Sequence, residues 1–318
     1  MKTLLARHVF FIFFYCATCL FFHRAVFAQK FTIPVFPDTQ EYMGKKRGVF
    51  FSMVEWVVEK SDSLKVPMVL QMGDFVNFDN FDHWELASVG MRIFDRANIP
   101  YAIAIGNHDT GAVGQYSGSA APGNVNVNLR NTQKFNYFFP VSRFTLQKGR
   151  FENNKSDNAY YLFEAGGLKW IVVTLEFCAR ENAAKWMDET LKKYPDRNAI
   201  IVTHYHLNSN GEIASSNAGY GDMKVSDIFE QYIKPNKNVL MVLSGHVCYS
   251  AWREDKGVHG NSIYQMLQDY QCNRDGYIRL LDIDTENKTI TAKMFSPYLN
   301  ITLNDQSAFA FRNVKFIQ

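Results

Sequence analysis

The first third of the chain alternates short apolar runs with longer segments in which apolar residues recur at helical spacing. A short apolar run bounded by turn residues is typical of a buried strand, and recurrence at intervals of three and four residues is typical of a helix that faces a core. Strands are predicted at 31–36, 66–72 and 101–105, and helices at 49–60 and 81–97. Strands that alternate with helices of this length predict right-handed crossovers and a largely parallel sheet.

The middle of the chain interrupts this pattern. Residues 111–157 are rich in Gly, Asn and Ser. A segment of this length inside a compact domain is usually either functional or an insertion on the surface of the domain. We therefore expect either a partly ordered surface insertion or a lid over a substrate. Tyr137 and Phe138 then belong either to the core of this insertion or to a clamp on the substrate.

Beyond this segment the pattern returns, first as a hairpin and then as strands and helices in alternation. The hairpin is predicted at 160–164 and 169–175, with Gly166 and Gly167 at its turn. Further strands are predicted at 199–203, 239–243, 262–267, 276–284 and 289–295, and helices at 183–194 and 225–233.

Polar clusters directly follow five of the predicted strands. Open α/β sheets hold their chemistry at the carboxyl ends of strands, so these clusters indicate one shared site. The cluster at 106–109 is the most informative, because it presents a metal ligand and a proton donor on one loop. The five clusters are Pro37-Asp38-Thr39-Gln40, Gly73-Asp74-Phe75-Val76-Asn77, Gly106-Asn107-His108-Asp109, Thr203-His204-Tyr205-His206 and Ser244-Gly245-His246-Val247-Cys248.

The first residues have the layout of a secretory signal peptide. A basic start with Lys2 and Arg7 precedes an apolar run at 9–22, and small residues suited to cleavage end at Ala28. The apolar run is too short to span a bilayer comfortably, and an uncleaved membrane anchor is the alternative. We expect a cleaved signal peptide at 1–28, one domain at 29–318, and a secreted or periplasmic protein without a stable membrane span.

Composition bears on the partners and on the redox compartment. The chain has 34 Lys and Arg against 31 Asp and Glu, but three of the basic residues fall within 1–28, which leaves the mature chain without net charge. A basic footprint for nucleic acid is therefore absent. The mature chain keeps Cys178, Cys248 and Cys272, an odd number that fits one disulfide and one buried thiol in an oxidising compartment.

The clusters supply a mixed set of oxygen and nitrogen ligands. These ligands are Asp38, Asp74, Asn107, His204 and His246. A carboxylate placed between two divalent ions can bridge them at about 3.5–4 Å, where they neutralise a phosphoryl group and turn a bridging water into a hydroxide nucleophile. Phosphoester hydrolysis also needs a proton for the leaving alkoxide. Carboxylate, amide and imidazole ligands suit Zn, Mn or Fe.

This ordered set resembles the calcineurin-like metallophosphoesterase family over nearly the whole mature chain. The resemblance is carried by Asp38-x-Gln40, Gly73-Asp74, Gly106-Asn107-His108-Asp109, His204 and Gly245-His246. It implies a four-layer α-β-β-α sandwich with two central mixed sheets and a site for two divalent metal ions. By the same resemblance, Asp38 holds the first metal and Asp74 bridges both. The second metal is held by Asn107, His204 and His246, and His108 contacts the phosphate and protonates the leaving group.

Two positions depart from the family pattern, and both belong to the first metal. Gln40 stands where the first motif ends in His, and Cys248 stands where the last motif has its second His. Gln40 offers only a neutral carbonyl oxygen, so the first metal is expected to be held weakly. These substitutions resemble a secreted subgroup with an Asp-x-Gln opening, in which Leu-Glu-Phe and Asp-Tyr-Gln segments recur, here at 175–177 and 269–271.

Cys248 has three alternative states. It forms a disulfide with Cys272, binds the first metal as a thiolate, or stays a free thiol. The predicted export favours the disulfide, because disulfides persist in oxidising compartments, and Cys178 is then unpaired. His206, close to His204 in sequence, is a possible further metal ligand and is otherwise a packing residue.

Several other residues receive weaker assignments. Asp109 is expected to act with His108 by orienting it, since a catalytic acid needs a partner that raises its pKa. Asn77 is either a turn residue or a hydrogen-bond partner of a ligand carboxylate. Glu176 is expected at the rim of the site or, alternatively, merely at a strand end. His83 and His259 are assigned to packing.

The sequence therefore predicts a phosphomonoesterase or a phosphodiesterase, whose partner is a phosphorylated small molecule or another phosphoester. The rival hypothesis is a degenerate member that binds metal or a phosphorylated ligand without efficient turnover. Gln40 and Cys248 favour the rival, whereas His108 and Asp109 favour the enzyme.

Overall fold

The computed structural model describes residues 29–44, 46–114, 128–217, 219–221, 223–272 and 275–318. The predicted signal peptide at 1–28 lies outside this part of the chain. Within the described residues, no helix combines the length and the apolar character that a membrane crossing requires.

Two mixed sheets form the centre of the fold. In chain order the strands are β1 (Lys30–Phe36), β2 (Val69–Gln71), β3 (Tyr101–Ile103), β4 (Gln147–Arg150), β5 (Ala159–Ala165), β6 (Leu168–Leu175), β7 (Asn198–Thr203), β8 (Val239–Ser244), β9 (Tyr249–Lys256), β10 (Ser262–Asp269), β11 (Ile278–Asp284), β12 (Thr289–Ser296), β13 (Ile301–Thr302) and β14 (Phe309–Arg312). The first sheet has the order β13-β12-β11-β1-β2-β3, with β14 beside β12. The second has the order β4-β5-β6-β7-β8-β10-β9.

The three strands predicted in the first third of the chain run parallel to each other, but the sheet that contains them is mixed and not largely parallel. In the first sheet, β1, β2 and β3 run parallel, but β11 pairs antiparallel with β1 and carries further antiparallel strands. In the second, β6, β7, β8 and β10 run parallel, flanked by antiparallel β5 and β9. The parallel strands are the ones whose ends carry the predicted ligands, so all of those ends point the same way within each sheet.

Helices cover the outer face of each sheet. They are α1 (Arg47–Leu64), α2 (Phe81–Arg96), α3 (Gln133–Phe138), α4 (Glu181–Lys193) and α5 (Val225–Ile228), with a π-helical turn at Phe229–Ile233 and 3-10 turns at Gln40–Tyr42 and Val141–Arg143. Phe94 of α2 meets Phe36 of β1, with ring centroids 5.9 Å apart. Met187 of α4 packs against the second sheet.

Strand β6 shows how the layers are separated. Its Trp170 belongs to the core between the sheets, where it meets Phe31 of β1 edge-on at 5.5 Å. Ile171 and Val173 project from the other face into the core beneath α4. Successive side chains of a strand point to opposite faces, so one strand serves both cores. The resulting α-β-β-α sandwich with two mixed sheets confirms the fold class.

The described part of segment 111–157 is built into the domain. Phe135 and Phe139 pack on Trp84 of α2, with ring centroids 5.7 and 6.2 Å away. Strand β4 extends the second sheet by pairing with β5. Tyr137 instead points outward and is 71% exposed. Residues 128–157 are therefore core and sheet, and residues 115–127, where a lid was one alternative, lie outside the described residues.

Candidate metal centre

Loops from both sheets converge on one group of side chains. Asp38 and Asp74 follow the parallel strands β1 and β2, and His204 and His246 follow β7 and β8. The His204 Nε2 atom lies 3.2 Å from Asp74 Oδ2 and 3.8 Å from Asp38 Oδ2. Its distance to the Nδ1 atom of His246 is 3.3 Å. Four of the predicted ligands, from four separate loops, thus meet at one point.

Three of these residues already have the spacing of a metal site. One ligand atom each from Asp74, His204 and His246 lies within 4.8 Å of the others. The opposite ring nitrogen of His204, Nδ1, contacts the backbone carbonyl of Met72 at 2.9 Å. Such a contact fixes the ring and its tautomer, which leaves Nε2 as the nitrogen that faces the carboxylates.

Glycines make this close approach possible. A Cβ atom on Gly106 would lie 2.2 Å from the backbone nitrogen of Asp74, and one on Gly245 would lie 2.1 Å from Asp38 Oδ1. Gly73, which precedes Asp74, has φ +95°, a conformation that glycine adopts without strain. The glycines of three motifs are therefore required by the packing of the carboxylate loops against each other.

The charges of the site favour a cation at its centre. Burial opposes protonation of His204, but the carboxylates of Asp74 and Asp38 raise the pKa of its imidazole to about 10. Burial and the charge of His204 lower the pKa of His246 to about 3, so its ring is neutral and has a lone pair to donate. The buried carboxylates thus attract positive charge, which a divalent ion supplies better than a single proton.

Two orphaned oxygen atoms fit the same conclusion. Gln40 Oε1 and Asn107 Oδ1 are buried and have no hydrogen-bond partner among the described residues. A buried acceptor without a donor is costly, and a bound cation is one way to satisfy it. Both residues were predicted as metal ligands, and the backbone N–H of Gln40 donates to the carbonyl of Asp74 at 3.0 Å. The donor set therefore fits divalent metal ions.

His108 is held at two points beside this cluster. Its backbone N–H donates to Asp74 Oδ1 at 2.8 Å, and its ring Nδ1 contacts the backbone carbonyl of Asn77 at 2.8 Å. A carbonyl oxygen can only accept, so Nδ1 carries a proton and Nε2 is the nitrogen free to exchange one. Asn77 thus serves the site through its backbone, which neither of its sequence-based alternatives included.

Asp109 does not orient His108 directly, which corrects the prediction. Its carboxylate accepts the backbone N–H groups of Phe75, Val76 and Gly106 at 2.8, 3.1 and 2.9 Å. Burial and the charge of Asp74 raise the pKa of Asp109 to about 7, although the hydrogen bonds from the backbone lower it. Its role is to join the loop after β2 to the loop after β3, because one carboxylate can satisfy donors from both.

Two possible ligands are not available to the cluster. Cys248 forms a disulfide with Cys272, with Cα atoms 6.2 Å apart, so the thiolate alternative is wrong and the disulfide prediction is confirmed. His206 is buried, with its Nε2 atom 2.5 Å from Gln265 Oε1. Cys178 is the remaining thiol among the described residues and is buried.

Glu176 is an internal ion-pair residue, not a rim carboxylate. It is 3% exposed and lies 2.8 Å from Arg180 Nη2 and 3.5 Å from Arg130 Nη1. Burial alone would raise its pKa, but the two guanidinium groups hold the pKa of Glu176 below its ordinary value. Arg130 also donates to the carbonyl of Phe177 at 3.0 Å, so this cluster fixes the segment that follows β6.

An aromatic wall beside the histidines was not predicted from the sequence. The ring of Phe177 lies 5.1 Å from that of His246 and 5.4 Å from that of His204. Tyr205 packs on His246 at 4.9 Å, and Tyr220 packs on Phe177 at 5.1 Å. The Leu-Glu-Phe segment at 175–177 was the sequence feature that could have predicted this wall, because Phe177 is its last residue.

Asp269 is a second residue that the sequence reasoning missed. It ends β10, is 0% exposed, and accepts the N–H and Nε2 groups of Gln271 at 2.9 and 3.1 Å. Burial raises the pKa of Asp269 to about 6, with an opposing effect from Gln271 and a reinforcing one from Asp74. The recurring Asp-Tyr-Gln segment was the signal that could have identified it.

The fold and this site define the class of the protein. The profile of the family described as calcineurin-like phosphoesterase matches residues 31–250, which include every predicted ligand. The chain therefore belongs to the calcineurin-like phosphoesterase family, as its motifs indicated.

Individual relatives are more distant. The chain is 31% identical over 281 residues to an uncharacterised protein of Bacillus subtilis, YvnB, and the match covers 82% of this chain but only 19% of that protein. Purple acid phosphatase PPD1 from yellow lupin is 12% identical, with a TM-score of 0.53 over 89% of this chain and 54% of that one. GAP50 of Plasmodium is 11% identical, with a TM-score of 0.50 over 90% and 89% of the two chains. The two structures share the fold.

Proposed function

We propose that this protein hydrolyses phosphate esters with two divalent metal ions and with His108 as the general acid. The observation that carries the proposal is the convergence of Asp74, His204 and His246 within 4.8 Å, beside the orphaned oxygen of Asn107. When bound, two such ions supply charge neutralisation for the phosphoryl group and an activated water at neutral pH. The chain's own residues then have three tasks.

The first task is to hold the ions and the ester in fixed positions relative to each other. Asp38 and Asp74 enter from the first sheet and His204 and His246 from the second, so the phosphoryl group would bind where the sheets meet. The second is to exclude water on one side, for which Phe177 lies against both histidines. Positioning and charge stabilisation account for most of the catalysis of phosphoryl transfer.

The third task is proton transfer to the leaving group. The contact between Nδ1 of His108 and the carbonyl of Asn77 fixes the ring, and the hydrogen bond of its N–H to Asp74 fixes the backbone. Nε2 is then the nitrogen that delivers a proton to the departing alkoxide. General acid catalysis of this kind contributes about 10²–10⁴-fold in rate.

A second candidate function is binding without turnover. The absence of a histidine at Gln40 favours it, and one structural neighbour, GAP50, is described as the anchor in the inner membrane complex of Plasmodium. A protein of this kind would bind metal and a phosphorylated ligand at the same residues but release no phosphate.

The two candidates are separated by assaying the purified protein with 4-nitrophenyl phosphate and bis(4-nitrophenyl) phosphate in Mn²⁺. We expect turnover of at least one ester, abolished by EDTA and by Asp74→Asn. Asp157→Asn is the matched control, because it removes a buried carboxylate outside the site and should leave the activity intact. Tight Mn²⁺ binding with no hydrolysis of either ester would favour the second candidate and reject the first.

A further inference from the structure

Asp269 lies where the loops of the two sheets meet. Strands β8 and β10 run parallel with Leu267 opposite Ser244, so the end of β10 reaches the level of the loop that begins at Gly245. The neighbouring Gln268 donates its side-chain amide to the carbonyl of Val35 at 3.1 Å, which ties this strand end to β1. Asp269 is therefore held between the loop that carries His246 and the loop that carries Asp38.

Three buried carboxylates at this junction have too little positive charge around them. Asp38, Asp74 and Asp269 are at most 2% exposed. No ion pair with Lys or Arg is recorded for any of them within the described residues, and Asp38 and Asp74 have only His204 within ion-pair distance. Neighbouring buried carboxylates need a proton or a cation between them.

The polar groups around Asp269 are arranged to present its carboxylate. Gln271 donates one hydrogen bond to each carboxylate oxygen, which fixes the plane of the group. Each oxygen keeps a further lone pair for a cation. Gln40 is held by its backbone N–H, which donates to the carbonyl of Asp74 at 3.0 Å, while its Oε1 atom has no described partner. The disulfide with Cys272 removes Cys248 from the possible donors.

We propose that Asp269 is a ligand of the first metal ion, which is then held by oxygen atoms alone. The donors are the carboxylates of Asp38, Asp74 and Asp269 and the amide carbonyl of Gln40. This inference rests on the two-metal site of the proposed function and adds the class of cation. A site of carboxylate and amide oxygens takes a hard cation such as Mg²⁺ or Mn²⁺, whereas the second site, with two imidazoles, also suits Zn²⁺. The two sites therefore differ in the cations that they prefer.

The test is the stoichiometry and affinity of Mn²⁺ binding to metal-free protein, measured by titration calorimetry and by elemental analysis after gel filtration. The wild type should bind two ions, and Asp269→Asn should bind one. The lost site should weaken by more than the roughly 10–100-fold that removal of an outer-shell hydrogen bond causes. Asp157→Asn, the matched control, should bind two.

Folding of the variant is checked without metal. Metal-free Asp269→Asn should unfold at the same temperature as the metal-free wild type or higher, because one of the repelling charges is gone. A second variant, Gln40→His, should shift the first site towards Zn²⁺, since imidazole is the better donor for that ion. Two Mn²⁺ ions bound to Asp269→Asn with wild-type affinity would overturn the inference and leave the proposed function intact. A wild type that binds no metal would reject both.

Discussion

His108 illustrates how one residue receives its role from the backbone around it. Its ring is oriented by the carbonyl of Asn77, and its N–H reaches the carboxylate that is proposed to bridge the metals. In the proposed mechanism, the proton that it donates would therefore move along a direction set by two loops, those after β2 and β3. Asp109 contributes indirectly, because it joins these loops through their N–H groups.

Replacement of His108 by alanine should separate proton transfer from metal binding. We expect turnover of an alkyl phosphate to fall about 10²–10⁴-fold, the usual contribution of a general acid, with unchanged metal content. An aryl ester with an acidic leaving group should lose less, because that group departs without a proton. Rates for both esters and elemental analysis provide the measurement, and an equal loss for both esters would exclude the acid role.

At the residue scale the ligands were predictable and their partners were not. Asp38 and Asp74 follow buried apolar runs of one sheet, whose parallel strands end at the same edge, so their convergence follows from local pattern. His204 follows a strand of the other sheet, and its approach depends on how the two sheets pack. The partners of Asp109 and the position of Asp269 depend on how loops from distant strands approach each other. The local pattern of apolar and polar residues contains no information about that approach.

The disulfide is the element-scale feature that shapes the site. Cys248 follows the loop of His246, and Cys272 follows the end of β10, with a sequence separation of 24 residues. The bridge thus joins the loop of His246, which is proposed to hold the second metal, to the segment of Asp269. A crosslink of this kind stabilises mainly by restricting the unfolded chain.

Removal of this bridge should lower both stability and affinity for the first metal. For Cys248→Ser combined with Cys272→Ser, the free energy of unfolding should fall by about 3 kcal/mol on the loop-entropy estimate. Chemical denaturation and Mn²⁺ titration measure the two effects, and the wild type in reductant should behave like the double variant. Cys178→Ser serves as the control for replacing a cysteine: it keeps the bridge, so it should lose stability in reductant as the wild type does. Unchanged stability of the double variant would contradict the expectation.

Strand β9 shows where element prediction fails. Its sequence, Tyr-Ser-Ala-Trp-Arg-Glu-Asp-Lys, carries charges that favour a loop, yet all eight residues pair with β10. Edge strands can carry charged side chains because one side faces water, and such charges discourage pairing with other chains. The buried strands were found from their apolar runs, whereas an edge strand is defined by its neighbour.

At the scale of the whole molecule, acidic groups buried outside the site make stability depend on pH. Burial raises the pKa of Asp157 to about 6, against hydrogen bonds from Thr132 and Asn136. In the unfolded chain the same acid titrates at 3.8. The folded state therefore binds this proton more tightly, and the resulting stabilisation is complete below pH 3.8 and is lost as the pH rises to about 6.

Asp157→Asn should remove this pH dependence, because its side chain stays neutral. Relative to the wild type, the metal-free variant should gain about 1.4 kcal/mol per pH unit over the window between the two pKa values. The measurement is urea denaturation at pH 4, 5, 6 and 7 in EDTA. Asp269→Asn, measured in the same way, should give a different dependence of the unfolding free energy on pH. A difference between the Asp157 variant and the wild type that stays constant over this range would show that Asp157 has an ordinary pKa.

The position of β1 has a consequence for synthesis of the chain. This strand lies inside the first sheet, where two of its residues are recorded as pairing with β2 and six with β11, from Lys30 opposite Asp284 to Val35 opposite Arg279. Most of its hydrogen bonds can therefore form only after the ribosome has synthesised β11, near the end of the chain. Until then an apolar strand edge stays open, and such edges recruit other strands. We therefore expect fragments that end before β11 to precipitate, which expression of a chain that ends at residue 275 would test by the fraction of soluble protein.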